Sequence, residues 1–175
     1  MENKFELNLI NIHWLTAKSS SDDLCAHGKV FVKIGDEIIS DDNSGDWTVT
    51  VTGLYLLRSI ETDYKPFMYG NYLLPCCGFN FWMDETDKVF LLGCNSGIDF
   101  SIEHIANNLI KIISKNNVAI LIHKKEFIDI VLEFVSKIES FYKNNQRRKP
   151  DRENKKGYKS FWEEWYKLKG NTENE

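Results

Sequence analysis

The side chains of this sequence with chemistry beyond simple charge are its four cysteines and four histidines. Cys25, His27, Cys76, Cys77, Cys94 and His104 can be gathered into one soft-ligand set, and a zinc ion would be its natural occupant. The spacing is poor for that metal. Structural zinc sites carry ligand pairs a few residues apart on tight turns, and neither Cys25-Ala-His27 nor the adjacent Cys76-Cys77 follows that layout. A thiol nucleophile is a second use of the same residues, with His104 as its base. In the run 98–104, Ile98, Phe100, Ile102 and His104 alternate onto one strand face, which places the ring at the core margin. Asp99 falls on the opposite face and is badly placed to orient that ring. The plainest use of the cysteines is as small apolar core residues.

Cysteine number and spacing also bear on redox state. They are too few for a disulfide scaffold at this length, and the adjacent pair rarely bridges to itself, so reduced thiols are expected. Gly93-Cys94-Asn95-Ser96-Gly97 lacks the lysine of a phosphate-binding loop, and reads instead as a hairpin turn with positive φ at Gly97. His13 and His123 have no legible partner.

The elements that must position these residues follow from periodicity. Phe5–Trp14, Lys29–Ile34 and Glu37–Ser40 read as strands, with a turn at Gly35-Asp36. A helix is expected from about Val51 to Thr62, with Arg58 and Glu61 outward. The aromatic, proline- and glycine-bearing stretch 65–78 reads as an ordered loop. A five-strand antiparallel meander follows over 79–83, 88–94, 98–105, 109–114 and 118–123. From Lys124 to Lys143, Phe127, Ile130, Val131, Phe134, Val135, Ile138, Phe141 and Tyr142 recur at helical spacing, leaving Asp129, Glu133, Lys137 and Glu139 for water. The fold class is therefore α+β, a mainly antiparallel meander packed by one long helix and one shorter helix.

Residues 1–142 form one domain in this reading, and 143–175 a basic linker with an aromatic end. The stretch 143–159 holds eight basic and two acidic residues and reads as solvated. Phe161, Trp162, Trp165 and Tyr166 then form an aromatic stripe that folds back on the domain, docks on a partner or pairs two copies as a homodimer.

The net charge of −4 is uneven, at +4 from residue 143 onward and −8 before it. An acidic body argues against nucleic-acid binding by that body and suits a basic protein partner. No apolar run approaches the ~20 residues that cross a bilayer, and the first ten residues lack a secretion-signal layout. A cytoplasmic protein without a membrane partner is expected, and the richness in Lys, Asn and Ile suggests a bacterial, AT-rich coding sequence.

Several motifs together, Cys25-Ala-His27-Gly28, Leu74-Pro-Cys-Cys-Gly78, Gly93-Cys-Asn-Ser-Gly-Ile-Asp99 and Phe161-Trp-Glu-Glu-Trp165, resemble a group of small bacterial proteins with no established activity. The resemblance carries no cofactor and no functional residues with it. In general style the chain is similar to the immunity proteins of bacterial toxin systems, which are small, acidic α+β domains without a catalytic motif. A non-enzymatic protein-binding domain is the leading functional expectation. A metal- or thiol-dependent enzyme centred on Cys76, Cys77, Cys94 and His104 is its rival.

Overall fold

Val30, Val32 and Ile34 alternate with Phe31 and Lys33, and in the computed structural model that alternation becomes a strand with one face in the core. The structure describes residues 4–16, 23–77, 80–86, 88–145 and 148–172. β1 (Phe5–Leu9), β2 (Val30–Ile34) and β3 (Glu37–Ser40) form an antiparallel sheet in that order, with Gly35 supplying φ 59° at the β2–β3 turn. The helix α1 (Val49–Ser59) follows, and all eleven of its residues are buried. It is the central element of the core. The later strands are β4 (Leu74–Pro75), β5 (Asn80–Met83), β6 (Val89–Leu92), β7 (Gly97–Ile98), β8 (Ser101–Ile105), β9 (Leu109–Ile113) and β10 (Ala119–His123). Two helices close the chain, α2 (Lys124–Asn144) and α3 (Lys155–Thr172).

The fold is α+β, with every strand pair antiparallel, but the five-strand meander divides into three sheets. β5 and β6 form a separate hairpin, β4 pairs with the short β7, and β8, β9 and β10 make a three-stranded sheet. The reason lies at Asp99. Its carboxylate accepts the Tyr64 hydroxyl at 2.7 Å and the amides of Phe67 and Leu73 at 3.1 and 2.8 Å, so the chain breaks step between β7 and β8. Those three bonds tie the 64–73 loop onto the sheet, and burial raises the Asp99 carboxyl despite them.

α2 runs one residue past the expected Lys143 and buries Phe127, Val131, Phe134, Val135, Ile138 and Tyr142. Phe5 of β1 meets both Phe127 and Phe100, which joins the first sheet, α2 and the approach to β8. The Glu37 carboxylate accepts the Ser114 hydroxyl and the Asn116 amide, stitching β3 to the β9–β10 turn. Two residues expected to face water are buried instead. Arg58 makes a two-pronged bond to Glu164 of α3, both contacts at 2.7 Å, and a third to the Val89 carbonyl. Glu139 accepts the Trp165 indole N–H and the Lys169 ammonium, each at 2.8 Å.

Both corrections trace to α3, which is longer than its aromatic stripe suggested and lies across α1 and the β5–β6 hairpin. Gly53 faces the Trp165 indole there, and Gly157 sits on the Phe81 backbone. The connection from α2 is also less solvated than its composition implied, because Arg148 is buried on the Thr16 carbonyl, the Trp14 ring and Asp23.

Candidate functional site

Short ladders, more than long elements, assemble the cysteines. Leu74 and Pro75 pair with Ile98 and Gly97, and the Cys76 amide continues the pairing by donating to the Ser96 carbonyl at 3.0 Å. The Thr48 amide at the start of α1 donates to the Pro75 carbonyl at 2.8 Å, and the Asn71 side-chain amide donates to the Leu91 carbonyl. The 71–77 segment is thus tied to α1, β6 and β7 at once. Glycines on both sides of Cys94 let the second segment approach. A methyl group on Gly93 would overlap the Cys77 carbonyl, and one on Gly97 would lie 2.6 Å from the Tyr72 Cβ. Gly97 is therefore required for close approach; among the described glycines, positive φ falls at Gly35, Gly45 and Gly70 instead.

Three sulfurs converge as a result, with the Sγ atoms of Cys76, Cys77 and Cys94 all within 4.8 Å of one another. Cys76 and Cys94 are joined as a disulfide, which replaces the expectation of uniformly reduced thiols. Cys77 is free and partly exposed, and its sulfur accepts the Cys94 amide N–H at 2.8 Å. A disulfide with a free thiol in reach is the arrangement for thiol–disulfide exchange.

The other residues of the soft-ligand set lie elsewhere. Cys25 is buried, and burial, seconded by Asp23, pushes its thiol far above the ordinary range. His27 is buried with Nδ1 donating to the Cys25 carbonyl at 3.0 Å and Nε2 accepting from the Thr48 hydroxyl at 3.1 Å, the assignment that fits both partners of a neutral ring. Desolvation lowers its pKa from 6.5. The Cys25-Ala-His27-Gly28 segment packs between α1 and α2, where the Ala26 amide donates to Thr50 Oγ1 and the Tyr142 hydroxyl donates to the Leu24 carbonyl.

His104 has both ring nitrogens engaged, Nδ1 with Asp63 at 3.0 Å and Nε2 with the Ile60 carbonyl at 2.9 Å. Its amide also donates to Asp63, and the amide and ring together hold that carboxyl below the usual range. Asp63 is thus the carboxylate partner that the sequence did not reveal for His104. Ile60 closes the far end of α1 from Thr48, so the two anchor points, one beside His104 and one beside the cysteine segment, are about 18 Å apart along the helix. Thiol catalysis with His104 as base has no geometric support. Of the aromatic candidates, Phe161, Trp162 and Trp165 are buried in this chain's own core, and Tyr166 is 45% exposed.

A broad groove over α2 is lined by Lys4, His123, Lys125, Glu126, Ile128 and Leu132 among others, with no concentration of one charge. Among the described residues, no helix is long and apolar enough to cross a membrane. No protein-family model, curated protein or solved structure matches the chain.

Proposed function

We propose that this chain is a non-enzymatic binding domain with a redox-responsive junction at Cys76, Cys77 and Cys94. The observation that carries the reading is the convergence of a disulfide and a free thiol within 4.8 Å on a tightly tied, partly exposed pair of loops. Attack of the Cys77 thiolate on the Cys94 sulfur forms a Cys77–Cys94 bond and releases Cys76 as thiolate, with no net oxidation or reduction. A vicinal Cys76–Cys77 bond is the geometrically disfavoured product. Opening by an external dithiol instead consumes two electrons and two protons and leaves that dithiol oxidised.

Disulfide mapping of the folded protein at graded thiol-to-disulfide ratios tests this reading. Both the Cys76–Cys94 and Cys77–Cys94 linkages are expected, with the second absent from Cys77→Ser. A Cys76–Cys94 bond that neither exchanges nor opens until the chain unfolds overturns the reading.

The binding partner is proposed to be a basic protein, which includes a toxin neutralised by this chain. Support comes from the −8 charge of residues 1–142; on α2 the exposed carboxylates are Glu126, Asp129 and Glu133, the last paired with Lys137 at 2.7 Å. Reversing these three carboxylates to Lys should slow association with such a partner and flatten its salt dependence. Unchanged association would remove α2 as the interface.

A further inference from the structure

We infer that, once the Cys76–Cys94 disulfide is reduced, the sulfurs of Cys76, Cys77 and Cys94 form a three-thiolate site for copper(I). The inference rests on the reading above in one respect, that the disulfide opens in the folded protein.

Three thiolates on a small soft cation must lie close together, and these are already gathered. With metal–sulfur bonds of about 2.3 Å, sulfurs around a trigonal ion sit about 4.0 Å apart. A set within 4.8 Å closes on that geometry through side-chain rotation. The loops that carry it are held by the Pro75, Ser96 and Leu91 hydrogen bonds and by the close packing of Gly93 and Gly97, none of which involves the disulfide. The Cys94 amide aimed at the Cys77 sulfur is a donor of the kind that supports metal-bound thiolates.

Ligand number selects the cation. Among the described residues, no further cysteine, histidine or carboxylate joins the three sulfurs at that range, so the all-protein tetrahedron of a structural zinc site is incomplete and zinc would need a water as its fourth ligand. Copper(I) is soft, favours thiolates and is content with three donors. Part exposure of all three cysteines gives it a way in from solvent.

The chemistry balances in two steps. A dithiol donates two electrons and two protons to the Cys76–Cys94 bond and becomes a disulfide, leaving three thiols at the site. Copper(I) then binds as the three thiols release their protons, with no change in oxidation state.

The test is anaerobic titration of the phosphine-reduced, desalted full chain with copper(I) against an excess of a colorimetric copper(I) chelator, with thiol counting on the folded protein alongside. One equivalent per chain is expected, with an ultraviolet thiolate-to-copper band and three sulfur neighbours by X-ray absorption. Affinity should fall about tenfold or more in each of Cys76→Ser, Cys77→Ser and Cys94→Ser, and stay unchanged in His104→Ala. Free thiols at all three positions without copper uptake overturn this inference and leave the exchange junction standing. Binding that survives Cys77→Ser, or tight zinc without copper(I), overturns the three-thiolate copper assignment. A disulfide that cannot be opened in the folded chain overturns both the inference and the junction.

Discussion

Glu139 decides how firmly α3 is held, because its two oxygens take the Trp165 indole N–H and the Lys169 ammonium in a setting only 8% exposed. Glu139→Ala removes the buried acceptor of the indole N–H and one partner of the ammonium, and should cost about 3 kcal/mol in urea unfolding. Glu139→Gln keeps an acceptor for the indole and should cost less. Equal losses from the two variants would show that the charge at Glu139 is irrelevant. Gly53→Ala probes the same interface from α1. Its new methyl would lie 2.7 Å from the Trp165 Cζ3, and the fully buried ring has nowhere to retreat. Overpacking of about 1–3 kcal/mol should outweigh the ~1 kcal/mol that alanine gains over glycine in a helix, so the variant unfolds earlier. A more stable Gly53→Ala would contradict the α1–α3 contact. The sequence placed Glu139 and Arg58 outward because charged residues on helices usually face water. Their partners lie 26 and 106 residues away, and local periodicity contains no trace of them.

At the scale of elements, α2 was legible almost to the residue, since eight apolar side chains at helical spacing leave little choice of face. β2, β3, β9 and β10 were legible for the corresponding strand reason. The meander was over-extended because alternation continues through Ile98–Ile105, while the Asp99 side chain takes up loop amides and interrupts the ladder. The sulfur site was half legible. All three cysteines stood in the candidate set, but Cys25, His27 and His104 stood there equally. What separates them is a two-residue ladder between β4 and β7, whose one sequence signal is the glycine on either side of Cys94. Asp99→Ala tests whether that loop seat is rigid. Removing its carboxylate leaves the Phe67 and Leu73 amides without their acceptor and the Tyr64 hydroxyl with only the Asn71 carbonyl at 3.5 Å, which should cost about 2–3 kcal/mol. It should also speed reduction of the Cys76–Cys94 bond in the folded chain. Unchanged reduction kinetics would separate the sulfur site from the 64–73 loop.

Across the whole molecule, one continuous core draws on both three-stranded sheets and all three helices, so local losses register as global ones. The pH response is expected to follow His27. Burial lowers its pKa in the folded state, so below the ordinary value of 6.5 the unfolded chain binds the extra proton. Its contribution to stability is therefore present above pH 6.5 and falls as pH drops below it, by at most about 1.4 kcal/mol per unit for one proton. His27→Asn, which keeps a donor for the Cys25 carbonyl, should flatten the stability profile just below pH 6.5; an unaltered slope would assign the response to other groups.

The convergence of Cys76, Cys77 and Cys94 is the claim on which the functional proposals depend, and alkylation with peptide mapping tests it most directly. Without reductant, the folded chain should take one label within that trio, chiefly at Cys77. Unfolding should add Cys25, and reduction should raise the total to all four cysteines. Labelling of Cys25 in the folded chain, or of all three clustered cysteines before any reductant is added, would contradict the account.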